Sequence, residues 1–136
     1  MGGAAVAKKI LIVEDNELNL RLFSDLLEAH GAEVRTVRDA RDALAAMRDF
    51  LPQLVIMDIQ LPHISGVELI KAMKADPALD AIPVMAVTAY AGKGDEARVR
   101  EAGANAYVSK PISVSRFVAA VEGLAGSLGD GFKRAG

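Results

Sequence analysis

The sequence predicts an α/β fold in which a five-stranded parallel sheet carries helices on both faces. Short runs rich in Val, Ile and Leu lack the polar–apolar alternation of half-exposed strands, which is typical of parallel strands buried on both faces. Segments with a helical pattern separate these runs, so strands and helices alternate along the chain. The 136 residues, 51% hydrophobic and 25% charged, are sufficient for one globular domain with a substantial core.

The first strand is predicted at residues 9–13, where four consecutive Ile, Leu and Val residues form an apolar run. The helix after it begins near Asp15-Asn16 and ends at Gly31, because glycine suits a left-handed C-cap. A short second strand follows at residues 33–37.

Asp39 is expected to be the N-cap of the second helix, which stops before Pro52. The third strand covers residues 54–58 and is apolar until its last residue. The third helix opens with Ser65-Gly66-Val67-Glu68, a capping-box pattern, and ends at Asp76-Pro77.

The fourth strand is predicted at residues 83–88 and the fifth at 106–109. Between them lies a weak helix over residues 95–102. Ser113 caps the last helix, which runs to about residue 127. Five strands joined by right-handed crossovers favour the flavodoxin-like strand order 2-1-3-4-5.

Four of the predicted strands lead into residues suited to phosphoryl chemistry. The residues at or just beyond these strand ends are Glu14, Asp15, Asp58, Thr88 and Lys110. In an open α/β sheet, functional groups gather beyond the carboxyl ends of the strands, and strands 1 and 3 are neighbours in this order. We therefore expect three carboxylates, a hydroxyl and an amine to meet at one site.

Three adjacent carboxylates repel one another unless a cation joins them, and oxygen ligands suit Mg²⁺. Lys110 adds a positive charge, and the Thr88 hydroxyl is able to donate to an oxyanion. Phosphoryl transfer needs such a set of groups, because charge spreads over the equatorial oxygens. Asp58 ends the central strand and is the best placed nucleophile, since a carboxylate can accept a phosphoryl group covalently.

With these residues the chain resembles the receiver domain of two-component response regulators, whose fold is called CheY-like. The resemblance covers residues 8–127, with residues 1–7 expected to be a flexible leader and 128–136 a flexible tail. The segments that carry it are Ile10–Asn16, Met57–Pro62, Ser65-Gly66, Val87–Ala89, Gly103-Ala104 and Ser109–Pro111.

The resemblance implies that Asp58 accepts a phosphoryl group from a phosphohistidine on a sensor histidine kinase. It implies that Asp15, Asp58 and the backbone carbonyl of Gln60 bind Mg²⁺, and that Glu14 acts through a metal-bound water. The chain would be a phosphoacceptor that assists its own phosphorylation and dephosphorylation, and not an enzyme with a separate substrate.

The resemblance also implies a switch in which Lys110 and Thr88 bind the phosphoryl group and Tyr107 turns inward as Thr88 moves. The weak fourth helix and the surface after it would report the change. Output would come through protein contacts, from a monomer or a weak phosphorylation-dependent dimer.

The first helix carries two apolar stripes, although packing against the sheet requires only one. One contains Leu18, Leu22 and Leu26; the other contains Leu20, Phe23 and Leu27. Deep burial of both stripes is one explanation. The other is docking on a helical bundle of a kinase, for which we select Leu20 and Phe23, together with Pro111 and Ile112 after the fifth strand.

Other functions are weighed against this one. An aspartate-nucleophile phosphatase of the haloacid dehalogenase type needs a second acid two residues after the nucleophile, where this chain has Gln60. A flavodoxin-like FMN site needs a Ser/Thr/Gly-rich loop after the first strand, where acids would repel phosphate. A chemotaxis-type receiver, a phosphorelay shuttle and a fragment of a longer regulator stay open, although a complete domain with ragged ends favours a stand-alone protein.

A narrower resemblance, in residues 14–20, 92–96 and 109–113, is to single-domain regulators of the alphaproteobacterial cell cycle. Cysteine is absent, which fits a reducing cytoplasm and excludes disulfides and thiolate metal sites. The chain has no basic stripe for nucleic acid, no apolar run long enough to span a bilayer and no secretory signal. A cytoplasmic protein is expected, with recruitment to cell poles through membrane-bound kinases.

Overall fold

The computed structural model describes residues 7–89, 94–110, 113–126 and 128 of the chain. Strands and helices alternate along these residues. Their bounds are β1 (Lys9–Val13), α1 (Glu17–Ala29), β2 (Glu33–Val37), a 3-10 turn (Ala40–Asp42), α2 (Ala43–Phe50), β3 (Leu54–Asp58), α3 (Gly66–Lys74), β4 (Val84–Thr88), α4 (Asp95–Ala102), β5 (Ala106–Ser109) and α5 (Val114–Ala125). No helix in these ranges is long and apolar enough to cross a membrane.

The five strands form one parallel sheet with the order β2-β1-β3-β4-β5, which confirms the predicted fold class. The register aligns the strand ends. Val13 lies between Val37 of β2 and Met57 of β3, and Thr88 of β4 pairs with Ser109 of β5. Residues at the ends of β1, β3, β4 and β5 are therefore brought to a common edge.

Apolar side chains fill both faces of the sheet. On β3, Val55 and Met57 pack in the core formed with α2, α3 and α4, whereas Leu54 and Ile56 pack in the core formed with α1 and α5. All five residues of β3 are buried. Each such aliphatic side chain contributes roughly 1.5–3 kcal/mol of transfer free energy, so the two cores hold β3 firmly in register.

Side-chain caps begin the helices where the sequence predicted them. Asn16, Ser65 and Ser113 each accept a hydrogen bond from the backbone N–H three residues later, at 3.0–3.2 Å. Asp39 accepts from the N–H of Arg41 at 2.9 Å and caps the 3-10 turn, so α2 itself begins four residues after this cap. A cap residue identifies where helical turning starts but does not distinguish a 3-10 turn from an α-turn.

The last helix ends at Ala125, two residues earlier than predicted, and its C-cap is Gly126, whose φ is +85°. Leu128, assigned to the flexible tail, is itself buried in the core of α1 and α5, and its N–H donates to Glu122 Oε2 at 3.2 Å. The rest of the predicted tail (129–136) and most of the predicted leader (1–6) lie outside the described residues.

Candidate functional site

The candidate site lies at the common edge of the sheet and is held by backbone hydrogen bonds. The N–H of Glu14 donates to the carbonyl of Val37 at 3.0 Å, which extends the β1–β2 pairing past the end of β1. The N–H of Lys110 donates to the carbonyl of Thr88 at 2.7 Å, which does the same for β4 and β5. The side chains on these segments are therefore positioned by the sheet itself.

The structure brings together the three carboxylates predicted from the sequence. Ligand oxygens of Glu14, Asp15 and Asp58 all lie within 4.8 Å of one another. Glu14 and Asp58 are buried, and Asp15 is the most exposed of the three. Burial first, and then the contact with Asp58, raise the pKa of Glu14 to about 7, although the nearby Lys110 acts in the opposite direction.

This arrangement suits a divalent cation. Burial and mutual repulsion destabilise the ionised form of these carboxylates. A cation shared between them stabilises that form. The donors are oxygen atoms, and the exposure of Asp15 leaves one side open to water, as hydrated Mg²⁺ requires. The site residues fit a magnesium ion on these grounds.

Asp58 makes a different contact with each of its two oxygens. Oδ1 accepts a hydrogen bond from the N–H of Gln60 at 2.9 Å, whereas Oδ2 lies 3.6 Å from Nζ of Lys110. Nζ of Lys110 is also 2.8 Å from Oε1 of Glu14. The Gln60 contact was not predicted from the sequence, because the residue types in a turn do not reveal where each backbone N–H points. It fixes the carboxylate so that one oxygen faces the lysine.

Gly66 allows the first turn of α3 to approach the end of β3. Its N–H donates to the carbonyl of Ile59 at 3.1 Å. A Cβ atom at Gly66 would lie 2.7 Å from Cα of Ile59 and 2.8 Å from the carbonyl oxygen of Asp58. The Ser65-Gly66 pair therefore does more than start a helix, because glycine sets the spacing between α3 and Asp58.

Thr88 and Tyr107 line one cleft of about 410 Å³ between α3 and α4, and Gln60 lines its other side. Thr88 is buried at the end of β4. The Tyr107 hydroxyl is also buried, and no residue in the described ranges hydrogen-bonds to it. Burial, followed by the nearby Asp95 and Glu96 charges, raises the pKa of Tyr107. The inward turn of Tyr107 that the resemblance implies stays a prediction, and its hydroxyl is already buried in this structure.

The docking assignment on α1 needs correction. Leu20 and Phe23 are only 7% and 5% exposed, and the Phe23 ring stacks on Phe117 with centroids 4.7 Å apart. Leu18 and Leu22, on the other stripe, are 75% and 58% exposed. Helical periodicity shows two stripes but does not say which of them α5 covers. Pro111 and Ile112, the other predicted docking residues, lie outside the described residues.

The pKa of Glu14 leads to a prediction about stability in the absence of metal. A carboxyl whose folded pKa of about 7 exceeds its ordinary 4.5 holds a proton that the unfolded chain releases, so stability falls as pH rises between these values. In EDTA we expect a melting temperature lower by about 5 °C at pH 8 than at pH 5.5, measured by circular dichroism. Mg²⁺ at pH 8 should reverse this loss.

Glu14→Gln is the matched control, because it keeps the shape and removes the titration. Its melting temperature in EDTA should change less between the two pH values than that of the wild type. A wild-type protein that becomes more stable from pH 5.5 to pH 8 without metal would contradict the prediction.

Comparison with known proteins gives the family. The family described as the response regulator receiver domain matches residues 10–122. The chain is 52% identical over 119 residues to the polar-differentiation response regulator DivK of Brucella anthropi, covering 88% of this chain and 97% of that protein. It is 51% identical over 121 residues to DivK of Brucella ovis, covering 89% and 98%.

Solved structures of similar fold agree. A CheY-like receiver domain protein from Methanospirillum hungatei has a TM-score of 0.81 and 30% identity, covering 96% of this chain and all of that one. The receiver domain of the sensor histidine kinase PA1611 from Pseudomonas aeruginosa, which has a magnesium ion in its active site cleft, has a TM-score of 0.82 and 28% identity, covering 90% and 100%. This chain belongs to the response regulator receiver domain family.

Proposed function

We propose that this receiver domain accepts a phosphoryl group on Asp58 from a histidine kinase, in a reaction that depends on Mg²⁺, and signals by phosphorylation-dependent protein contacts. One observation carries the proposal. Within a cluster of three carboxylates, Asp58 turns Oδ2 toward the ammonium group of Lys110 at 3.6 Å. This pairing of a carboxylate and an ammonium group at the open edge of the sheet supports a role for Asp58 as nucleophile and for Lys110 as the cation that binds the phosphoryl group.

The residues divide the chemistry between them. Oδ2 of Asp58 forms a bond to phosphorus while the P–N bond of the phosphohistidine breaks, and the electron pair leaves with the imidazole nitrogen. The Gln60 N–H holds Oδ1 and keeps the carboxylate in position. Lys110, now 2.8 Å from Glu14, is available to pair with the phosphoryl oxygens, and the hydroxyl of Thr88 donates to them.

Asp15, Asp58 and the Gln60 carbonyl would hold the Mg²⁺ ion, with Glu14 acting through a bound water. The ion supplies positive charge that neutralises the phosphoryl oxygens. The chain would remain a phosphoacceptor and not a phosphomonoester hydrolase, because the position of the second acid holds Gln60, whose carboxamide is not a general acid or base.

The test is transfer of radiolabelled phosphoryl from a phosphorylated histidine kinase or from acetyl phosphate. We expect label on the protein with Mg²⁺ and a loss of about 100-fold or more in rate with EDTA. Labelling that proceeds equally in EDTA, or steady hydrolysis of phosphomonoesters without stable label, would exclude the proposal.

The kinase is proposed to dock on the exposed stripe of α1. Leu18 and Leu22 are large apolar side chains exposed to solvent on α1, the helix that follows Glu14 and Asp15. Exposed apolar residues next to a site mark contact surfaces, and a kinase helix offers a matching apolar stripe.

Replacing Leu18 and Leu22 with Ala should therefore weaken transfer from the kinase while sparing labelling by acetyl phosphate. We expect kcat/KM for the kinase to fall about tenfold, because central apolar anchors carry much of the binding energy. Both side chains are exposed, so folding should be little affected. Transfer rates are measured with each donor under identical Mg²⁺ concentrations.

Leu51→Ala is the control, since Leu51 is similarly exposed but lies beyond α2. It should leave both reactions unchanged. If the α1 double variant loses both reactions equally, the defect lies in the site or the fold, and docking on this stripe is rejected.

The physiological role is proposed from the relatives. The polar-differentiation regulators that this chain resembles support a role in cell-cycle or cell-division control, with location in the cytoplasm and recruitment to the poles by membrane-bound kinases. A chemotaxis-type receiver or a phosphorelay shuttle is the alternative. Deleting the gene and following division and cell polarity separates them, because a chemotaxis receiver would leave both normal.

A further inference from the structure

A second cleft, of about 300 Å³, lies beside Asp15 on the side of the site away from Tyr107. Its lining residues are Asp15, Arg38, Asp39, Pro62 and His63. They come from the turns after β1, β2 and β3, which the register and the Glu14–Val37 backbone bond bring level with one another. A phosphodonor that approaches the carboxylate cluster therefore passes next to this cleft.

The mouth of the site is strongly acidic, and a phosphodonor is an anion. Glu14, Asp15 and Asp58 occupy the site, and Asp39 and Glu17 lie around it. With Mg²⁺ bound, the ion and Lys110 balance the charge of the three carboxylates of the site. Asp39 and Glu17 still leave the surroundings acidic, so a further cation at the entrance would strengthen the attraction of an anionic donor.

Of the two arginines near this cleft, Arg38 has the weaker ion pairing. Arg41 is engaged by both oxygens of Asp39, at 2.7–3.3 Å, and these hydrogen bonds lower the pKa of Asp39, with a small further effect of His63. The one ion pair found for Arg38 among the described residues is with Glu17 at 3.9 Å, where the two side chains are 59% and 75% exposed. Such a long, exposed pair holds its partners weakly.

We propose that Arg38 binds the anionic phosphodonor as it enters and so sets the affinity for small phosphoryl compounds such as acetyl phosphate. This inference rests on the proposed phosphorylation of Asp58. A guanidinium presents a planar fork of N–H donors that matches phosphate and carboxylate oxygens. Pro62 and His63 also line the cleft, and the backbone of His63 is held at a φ of +74°.

The kinetic test compares wild type with Arg38→Ala in labelling by acetyl phosphate over a range of concentrations. We expect the concentration for half-maximal rate to rise about three- to tenfold in Arg38→Ala, with the maximal rate changed less than about twofold. Arg38→Lys should have an affinity between those of wild type and Arg38→Ala, because lysine keeps the positive charge but lacks the planar N–H donors of the guanidinium. Added salt should weaken donor affinity more in wild type than in Arg38→Ala.

Arg21→Ala is the matched control, since it removes the same charge from an exposed position on α1. An equal effect of Arg21→Ala would show a general effect of net charge and overturn the proposal, as would an unchanged half-maximal concentration in Arg38→Ala. Failure of the proposed function looks different, because wild type would then take no label on Asp58 at any concentration.

A binding measurement that needs no turnover completes the test. In Asp58→Asn, which lacks the nucleophile, phosphoramidate should shift the Nε–Hε signal of Arg38 in an NMR titration. The corresponding signal of Arg21 should stay in place. A titration in which the Arg38 signal does not move while signals of the site residues do would place the donor elsewhere and reject the inference.

Discussion

Asp58→Asn is expected to remove phosphorylation of this domain while leaving its fold intact. Asparagine keeps the shape of the side chain and the hydrogen bond that Oδ1 accepts from Gln60 at 2.9 Å. It removes the negative charge that makes the side chain a nucleophile. We expect the rate of labelling by acetyl phosphate to fall about 100-fold or more, measured by radiolabel and by the intact mass of the protein.

The same substitution should raise the melting temperature in the absence of metal, because one of three clustered carboxylates loses its charge. Asp80→Asn is a suitable control, since Asp80 is an exposed acid in the loop after α3. Rapid labelling of Asp58→Asn, or a phosphoryl group mapped to another residue, would mean that the acceptor has been misidentified.

Gly66→Ala is expected to have the largest effect on stability among conservative substitutions near the site. The added Cβ would lie 2.7 Å from Cα of Ile59 and 2.8 Å from the carbonyl oxygen of Asp58, so backbone and not a flexible side chain must move. We expect a loss of about 2–4 kcal/mol in the free energy of unfolding, measured by urea denaturation. Labelling of Asp58 should slow as well, because the shift displaces the end of β3.

The chain contains a matched control in Gly123, which lies in the middle of α5 and has open space around the position of a Cβ. Gly123→Ala should stabilise the protein by roughly 0.5–1 kcal/mol, since alanine favours the helix. If Gly66→Ala behaves like Gly123→Ala, the close approach of α3 to Asp58 is not required.

The fold was predictable because its signals are local. The apolar runs of β1 and β3 end where the hydrogen-bonded strands end, and Ser65 and Ser113 cap the helices that follow them. Convergence of Asp15 and Asp58 followed from strand order, since parallel strands in this order bring neighbouring ends together. These inferences needed no knowledge of how side chains pack.

The features that were missed depend on packing between distant segments. Phe23 is buried because Phe117 of α5 stacks on it, and no pattern within α1 reveals that partner. Leu128 is buried because the chain turns back after Gly126 and bonds to Glu122. Periodicity reports how apolar residues are spaced, whereas their burial depends on which other helix covers them.

The alternation of side chains along β3 has a consequence for how the domain can evolve. Its residues contact one core through Val55 and Met57 and the other through Leu54 and Ile56, and Asp58 follows directly. A single inserted or deleted residue in β3 would exchange the two sets and move Asp58 away from Lys110. Substitutions that change the binding partner must therefore accumulate on outward helix faces, such as that of Leu18 and Leu22. Substitutions there leave the position of Asp58 relative to Lys110 unchanged.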